Sequence, residues 1–463
     1  MKRVIFGAVA LVVGVAGVVA YTTIRRDQDH ARLVTEGDTA IATERPLAAV
    51  EAYSGAITLK PDSMLAYLKR GETYRRLGEW TAAIRDLSQA ARLDPTATRP
   101  LERLGDVHYT LGRFGRAAER YAEYVALDDQ AARVLYKLAL ARHRNGMGAP
   151  AIAAARQAIA LDDEFAEAHY LLGVCLFEDG ELDEAAGALS RALELSPTLS
   201  AAREELALLY RELGRSRDEI DQLQALAALE PDNAAREIAL GLAFTRAGRT
   251  DQAVLTLGRT AERHPNDPAV YVAAGRVWLE QAERQGDRGA LAKALEALQR
   301  PVAIEAASSE TLTLLGRAFL LASQPELAEP ILGQATDLLP VDPLAFSYLA
   351  EAAIQLEHFA TARDALVDYE ALEGGPTEPA ARAAFAARIA QLSLRAEEPA
   401  VAADWLRRAL EADDSDLDVW AQLVDAEIRA GDLERARETL RRALAVAPSD
   451  PALLALASRA AHP

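Results

Sequence analysis

Cysteine is nearly absent from this 463-residue chain, which holds only one, Cys175. A single cysteine excludes an internal disulfide and any zinc site built from several thiolates. Cys175 lies in an apolar stretch with helical spacing, so we expect a buried and inert thiol. Aromatic residues make up 6% of the chain, and strand-like alternation of apolar and polar residues is missing. These absences favour an all-helical protein without disulfides.

Motifs of catalysis and metal binding are missing as well. The seven histidines are scattered along the chain, and none belongs to an HExxH motif or to a Cys/His ligand pattern. The sequence contains no GxSxG, Walker loop or GxGxxG motif, and no nucleophile stands beside a base. We therefore predict a protein that is not an enzyme and that holds no metal and no cofactor.

Basic residues are fewer than acidic ones. The chain has 51 Lys and Arg against 70 Asp and Glu, a net charge of −19, which argues against nucleic acid as a partner. Residues 64–144 depart from this balance, with 15 basic and 10 acidic residues. The sequence thus predicts a local basic surface on an acidic protein.

A period of 34 residues organises most of the chain. Proline or aspartate recurs at this interval, alanine recurs twelve residues earlier, and glycine or alanine twelve residues before that. The three series are Pro61, Pro95, Asp129, Asp163, Pro197, Pro231, Pro265; Ala49, Ala83, Ala117, Ala151, Ala185, Glu219, Ala253; and Gly37, Gly71, Gly105, Ala139, Gly173, Ala207, Gly241. The period continues to the C-terminal region with irregularities near residues 281–288 and 373–379. It predicts about twelve repeats over residues 30–450 and a capping helix at residues 451–463.

Each repeat is predicted to form a hairpin of two helices. In residues 166–198, apolar residues at helical spacing end at Gly180, and a second amphipathic stretch ends at Pro197. Gly173 and Ala185 fall where the two helices approach, and a larger side chain there would force them apart. Glu219 replaces the alanine in the sixth repeat, which we expect to be locally looser.

The repeat resembles the tetratricopeptide repeat family in its length and in its spacing of small, aromatic and proline positions. The second repeat carries the resemblance most fully, through Tyr67, Gly71, Tyr74, Ala83, Leu87, Ala90 and Pro95. The resemblance covers about nine-tenths of the chain, although the last repeat has Val424 in place of its glycine. It implies an all-α solenoid, a right-handed superhelix of hairpins whose first helices line a concave groove that binds protein segments. A different α-solenoid or an alanine-rich bundle is the alternative, but a bundle does not explain the strict register.

The N-terminal segment, residues 1–29, differs from the repeats. Residues 4–24 carry no charge, and Lys2 and Arg3 precede them while Arg25 and Arg26 follow. Twenty-one residues form a helix of about 31 Å, long enough for one transmembrane span. We expect this span to cross a bacterial inner membrane once, with the N-terminus on the cytoplasmic side and the repeats in the periplasm. Cleavage near Ala20 with secretion to the periplasm, or repeats in the cytoplasm, are the alternatives. A one-sided series of small residues could contact another membrane helix: Gly7, Ala10, Gly14 and Gly17.

The groove positions that the resemblance implies carry cations and aromatic residues in repeats two to five. These candidate partner-binding residues are Lys69, Arg76, Arg99, Arg103, Tyr109, Arg133, Tyr136, Lys137, Tyr170 and Phe177. They partly resemble the carboxylate clamp of some family members, but Leu68 and Glu72 stand where the clamp has lysine and asparagine. We predict that they bind an acidic segment or a C-terminal carboxylate. The alternative is a solvated helix face on which the cations pair with Glu72, Glu102 and Asp106.

We predict a non-catalytic, membrane-anchored scaffold that binds protein segments in its groove and assembles a cell-envelope complex. One alternative is an accessory subunit of envelope polysaccharide, pilus or secretion machinery. Another is the substrate-recognition arm of a separate enzyme, such as a glycosyltransferase or a protease. Sequence alone leaves these alternatives open.

Overall fold

The computed structural model describes the backbone of residues 2–303 and 307–461, and the side chains there except those of residues 2–14, 16 and 461. Within these ranges the chain forms 25 helices and no strand, which confirms the prediction of an all-helical fold. The helices group into two compact units, Met1–Leu229 and Glu230–Pro463.

The first unit consists of six consecutive helical hairpins, each formed by an odd-numbered helix and the even-numbered helix after it. Their helices are α1 (Lys2–Ala42), α2 (Pro46–Leu59), α3 (Met64–Arg76), α4 (Trp80–Leu93), α5 (Thr98–Thr110), α6 (Phe114–Leu127), α7 (Ala132–Arg144), α8 (Gly148–Leu161), α9 (Ala166–Glu178), α10 (Leu182–Leu195), α11 (Ser200–Glu212) and α12 (Ser216–Leu229).

The second unit continues the pattern with six further hairpins and a last single helix. Its helices are α13 (Ala234–Arg246), α14 (Thr250–Arg263), α15 (Pro268–Gln285), α16 (Arg288–Ala303), α17 (Ser309–Leu321), α18 (Pro325–Asp337), α19 (Leu344–Gln355), α20 (Phe359–Glu373), α21 (Pro379–Arg395), α22 (Pro399–Ala412), α23 (Leu417–Arg429), α24 (Leu433–Val446) and α25 (Pro451–Ala461).

Small residues let the two helices of a hairpin pack closely. A Cβ atom added to Gly173 on α9 would lie 2.6 Å from Cγ of Leu189 on α10, too close for any real contact. Ala185 is fully buried in the same hairpin. Glu219, at the alanine position of the sixth hairpin, is also buried. The periodic glycines and alanines therefore mark the contact between helices, as their spacing predicts.

The turn inside each hairpin needs a backbone conformation that favours glycine. In the first unit, hairpins two to six place a glycine there with φ between 68° and 84°: Gly78, Gly112, Gly146, Gly180 and Gly214. Glycine adopts this left-handed conformation at little steric cost. Glu357, in the turn between α19 and α20, adopts φ of 63° without being glycine, and this position is therefore strained.

The two irregularities in the sequence period lengthen helices. Near residues 281–288 the extra residues extend α15 to 18 residues, against 13 in α9, and Gly286 follows with φ of 64°. Near residues 373–379, Gly374 and Gly375 both have positive φ, and α21 then runs for 17 residues. Ala282, in the lengthened part of α15, is buried, so the added turn packs within its hairpin.

Helix α1 is continuous over 41 residues and crosses the predicted boundary at residue 29 without a break. Its C-terminal part forms the first hairpin with α2, and Asp27 pairs with Lys60 at 2.8 Å. His30 Nε2 lies 2.9 Å from the Ser63 hydroxyl at the start of α3. Within the described part of the chain, no helix combines the length and apolar character that a bilayer span requires. Most residues of the predicted span, including Gly7, Ala10 and Gly14, are among those whose side chains the structure does not describe. Gly17 is described, and a side chain added there would meet no atom within 4 Å.

Candidate protein-binding face

The candidate residues lie on α3, α5, α7 and α9, the first helices of hairpins two to five. Helix α3 contacts α5, and α9 contacts both α7 and α11. We call the side of these first helices that carries the candidate residues the first-helix face. Its side chains come from different hairpins, so the 34-residue period brings together residues far apart in sequence.

Glu72 on α3 holds two of the candidate cations. Arg99 donates to both of its carboxylate oxygens, at 3.0 and 3.1 Å, and Arg103 donates to one of them at 3.0 Å. Glu72 and Arg103 are largely buried, whereas 62% of the Arg99 side chain is exposed. Both arginines come from α5, so Glu72 ties the second hairpin to the third.

Asp106 on α5 is the centre of a second group of bonds. It accepts hydrogen bonds from Arg103 at 3.0 Å, Lys137 at 2.8 Å and the Tyr121 hydroxyl at 2.9 Å. Burial alone would raise the pKa of Asp106, but the bonds from Lys137, Tyr121 and Arg103 hold it below its ordinary value. Lys137 also donates to Glu102 at 2.6 Å. This group therefore joins the third hairpin to the fourth.

The first hairpin repeats the same arrangement. Asp38 accepts from the Tyr53 hydroxyl at 2.7 Å and from Lys69 at 2.6 Å. Burial, together with the bond to Asp38, raises the pKa of Tyr53. Four predicted site cations are thus ion-paired within the chain: Lys69, Arg99, Arg103 and Lys137. For three of these, Arg99, Arg103 and Lys137, the partners are Glu72, Glu102 and Asp106, which the alternative hypothesis names.

The other two candidate cations, Arg76 and Arg133, are exposed. Neither forms an ion pair or a hydrogen bond with any residue whose side chain is described. Arg144, at the last turn of α7, is exposed in the same way, and its positive charge partly offsets the rise in the pKa of Tyr170. These three arginines keep their charge and donors available to a partner.

The four aromatic candidates are half-buried and pack against the hydrophobic core: Tyr109, Tyr136, Tyr170 and Phe177. Tyr136 packs against Phe165 with ring centroids 5.0 Å apart, and Tyr109 packs edge-on against Phe114 at 5.2 Å. Tyr170 and Phe177 pack on the same core as Tyr136. Burial raises the pKa of Tyr136 and of Tyr170, so both hydroxyls stay protonated and can donate.

On the next first helix, α11, Glu205 takes the position that Lys137 holds on α7, and Glu204 precedes it. Burial raises the pKa of Glu205, and the neighbouring charges of Glu204 and Glu178 add to the shift. His143 Nε2 lies 3.0 Å from both carboxylate oxygens of Glu178. The sequence-based prediction ended at Phe177 and therefore omitted α11.

Two cavities in the second unit were not predicted from the sequence. A cavity of about 670 Å³ is lined by residues from the α17 start and the loop before α19, including Leu339, which is 90% exposed. A smaller cavity of about 360 Å³ shares Arg276, Ser308 and Glu310 with it, and Arg276 pairs with Glu310. Arg276 lies at the repeat position that Glu72 and Asp106 hold on earlier first helices. Applying the groove positions to repeats beyond the fifth would therefore have identified it.

Two further predictions concern chemistry. Cys175 is buried, as expected, and burial with Glu178 nearby raises the pKa of its thiol to about 12. A thiol with so high a pKa is a poor nucleophile at neutral pH. Among the described residues, no group of three or more His, Cys, Asp or Glu side chains could hold a metal ion.

Models of the tetratricopeptide repeat match five stretches of the chain, which together cover about half of it. They match residues 34–98, 102–149, 148–200, 239–267 and 417–460. No curated protein sequence matches the chain.

Solved structures of similar fold include MamA, which is 27% identical, with 35% of this chain and 94% of that chain covered and a TM-score of 0.34. YrrB, described as a TPR protein with an unusual peptide-binding site, is 19% identical, with coverages of 40% and 96% and a TM-score of 0.37. The APC/C hetero-tetramer Cut9–Hcn1 is 15% identical, with coverages of 93% and 96% and a TM-score of 0.33.

Proposed function

Since the chain belongs to the tetratricopeptide repeat family, we propose that it is a non-catalytic scaffold that binds protein segments on its first-helix face. The observation that carries the proposal is the pair Tyr136 and Tyr170. They lie 34 residues apart, on adjacent first helices, half-buried and with hydroxyls able to donate. Tyrosine supplies a large contact area at low conformational cost, which suits a surface that binds peptides.

The ion pairs refine which candidate residues would touch the partner. An incoming carboxylate would have to displace Glu72 from Arg99 and Arg103. The bond to the largely buried Arg103 is worth about 1.5–3 kcal/mol, and the pair with the exposed Arg99 less than about 1 kcal/mol. Lys69 and Lys137 are likewise ion-paired within the chain, with Asp38 and Glu102. We therefore assign these four cations the task of holding hairpins one to four in register.

Direct contact with the partner then falls to the uncommitted residues on the first-helix face. These are Arg76, Tyr109, Arg133, Tyr136, Tyr170 and Phe177. Arginine can hold a carboxylate through two parallel hydrogen bonds, so an acidic group of the partner would still find donors here.

Co-purification with wild-type and variant full-length protein tests this proposal. The double variant Tyr136→Ala/Tyr170→Ala should lose bound partner proteins that the wild type retains, as identified by mass spectrometry. Tyr124→Ala, a half-buried tyrosine on the second helix α6, is the matched control and should retain them. Retention of every partner by the double variant, with release by changes in hairpins nine to twelve, would move the site to the second unit.

We also propose that residues 4–24 anchor the protein in a bacterial inner membrane, with the repeats in the periplasm. The uncharged run and its flanking Lys2 and Arg3 support this. Because α1 continues into the first hairpin without a linker, an anchor there would hold the repeats next to the membrane. Contact with another membrane helix through Gly7, Ala10, Gly14 and Gly17 belongs to the same proposal.

Intact mass of the purified protein tests for cleavage after Ala20, and a C-terminal reporter enzyme tests the topology. An uncleaved chain with a reporter active only in the periplasm is expected. A reporter active only in the cytoplasm would contradict the topology and leave the scaffold proposal standing. The identity of the co-purified proteins would then distinguish a general envelope scaffold from an accessory subunit of polysaccharide, pilus or secretion machinery, and from the recognition arm of a glycosyltransferase or protease.

A further inference from the structure

The ion pairs of the first three hairpins follow one rule of spacing. An acidic residue on one first helix bonds a basic residue 31 positions later on the next: Asp38 with Lys69, Glu72 with Arg103, Asp106 with Lys137. Thirty-one is the repeat length less about one helical turn. Each bond joins adjacent hairpins, so the acidic and basic side chains on this part of the first-helix face neutralise one another.

The rule ends at the fourth hairpin. Leu140 and Val174 take the places that Glu72 and Asp106 hold in earlier hairpins, and Leu208 follows them on α11. Leu140 and Val174 are half-buried, and Leu208 is 38% exposed. On α7, α9 and α11 this position of the first-helix face is therefore apolar, whereas it is acidic on α1, α3 and α5. Tyr136 and Tyr170 lie beside these apolar residues.

Glu205 occupies the position that Lys69, Arg103 and Lys137 hold in earlier hairpins. The residue 31 positions before it is Val174, which offers it no partner. Glu205 forms no ion pair or hydrogen bond with any residue within the described ranges. The negative charges of Glu204 and Glu178 repel the charge of Glu205. A carboxylate held in this setting attracts a cation from outside the chain.

Uncommitted positive charge lies on the opposite side of the apolar stretch. Arg133 and Arg144 stand at the two ends of α7, and both are exposed. In the part of the chain that the structure describes, neither has an ion pair. Helices α7 and α11 lie on either side of α9. The face thus runs from cations on α7, across Tyr170 and Val174 on α9, to a carboxylate on α11.

We propose, on the basis of the scaffold function above, that this face binds an extended segment with opposite charges at its two ends. An acidic side chain of the segment meets Arg133 or Arg144, a basic side chain meets Glu205, and apolar side chains between them cover Tyr170 and Val174. Packed helices lie about 8–10 Å apart, so α7 and α11 are separated by about 16–20 Å. An extended chain covers that distance in about five or six residues.

Selection of random twelve-residue peptides displayed on phage, against the full-length protein, tests this charge pattern. Enriched peptides should share an acidic and a basic residue about five or six positions apart, with apolar residues between. The most enriched peptide, made synthetically with a fluorescent label, then serves as the probe in an anisotropy titration. Enriched peptides without the charge pair, or no enrichment at all, would overturn the proposal.

Charge reversal in the protein gives the second half of the test. Arg133→Glu/Arg144→Glu and, separately, Glu205→Lys should each weaken probe binding by at least about tenfold, since each change replaces an attraction by a repulsion. Exchanging the acidic residue of the probe for lysine should restore binding to the arginine double variant. Arg116→Glu, at an exposed arginine on α6, is the matched control and should bind as the wild type does.

Thermal unfolding of each variant separates lost contacts from lost folding. Probe binding that is unchanged in both charge-reversed proteins would contradict the inference. If natural partners are nevertheless lost from Tyr136→Ala/Tyr170→Ala, the scaffold function stands and only the charge pattern fails. If those partners also stay bound, both proposals fail.

Discussion

Removing one partner of the buried pair Arg70–Asp86 should cost far more stability than breaking an exposed ion pair of this protein. Only 1% of the Asp86 side chain is exposed, and Arg70 donates to its two oxygens at 2.5 and 3.0 Å. The remaining guanidinium nitrogen donates to Ser54 at 3.0 Å. Arg70 on α3 and Asp86 on α4 both belong to the second hairpin, and the bond from Arg70 to Ser54 on α2 joins this hairpin to the first.

Asp86→Asn keeps the shape of the side chain but leaves the Arg70 charge without a counter-charge. Arg70 is only 14% exposed and lies between the rings of Tyr67 and Tyr74, so water can replace the carboxylate only in part. Removing one partner of a buried pair typically costs about 3–5 kcal/mol. We expect a loss of about 3 kcal/mol or more. Arg70→Met/Asp86→Leu removes both charges and should lie within about 1 kcal/mol of the wild type.

Amide hydrogen exchange is the assay that can locate this loss, because a repeat array opens locally rather than as one unit. Protection of α2, α3 and α4 should fall in Asp86→Asn and recover in the double variant. Glu194→Gln, which breaks the exposed pair with Arg191, is the control and should cost less than about 1 kcal/mol. The reasoning is refuted if protection in Asp86→Asn stays within about 1 kcal/mol of the wild type.

Three further changes test other parts of the structure. Ala185→Leu should destabilise hairpin five by about 1–3 kcal/mol through overpacking of a fully buried position, and unchanged thermal unfolding would contradict this. Glu357→Gly should stabilise the turn between α19 and α20 by about 0.5–1 kcal/mol in urea unfolding, because its φ is 63°. Burial raises the pKa of Glu427, although Thr439 and Arg407 oppose the shift, so the folded state loses stability as pH rises from about 4.3 through that raised pKa. The free energy of unfolding of Glu427→Gln should therefore rise relative to that of the wild type as pH increases towards neutrality. A difference in unfolding free energy that does not grow with pH would contradict this expectation.

The fold could be predicted because one register repeats many times. Gly173 and Ala185 mark the helix contact, and Gly180 marks the turn, each for a local steric reason that the sequence displays directly. Helix lengths were less predictable. The added residues near 281–288 resemble a loop insertion in sequence but extend α15 instead, because nothing there breaks the helix before Gly286.

The placement of the candidate residues on the first helices was predictable, but their electrostatics were not. Counting charges on α3 and α5 gives a basic surface, yet Arg99 and Arg103 are neutralised by Glu72 on the preceding first helix. A count of charges treats all charges in a stretch alike, whereas pairing depends on which side chains face each other across two hairpins. The ion pair Lys137–Glu102 illustrates this, since its members are 35 residues apart in sequence and 2.6 Å apart in space.

The end of the pairing rule is the reason why we expect the proposed segment with two opposite charges to bind from the fourth hairpin onwards. Where an acidic residue pairs with a basic residue 31 positions later, the charges of the first-helix face are neutralised within the chain. A ligand that binds one of these charged side chains must first break its existing bond. Where Leu140 and Val174 interrupt the spacing, Glu205 is left with a charge that no neighbouring hairpin neutralises. A charge left uncompensated in a stable array is free to interact with a partner at no cost to an existing bond. In repeats that share one fold, the positions that break the pairing rule are therefore better guides to a binding face than the positions that carry the most charge.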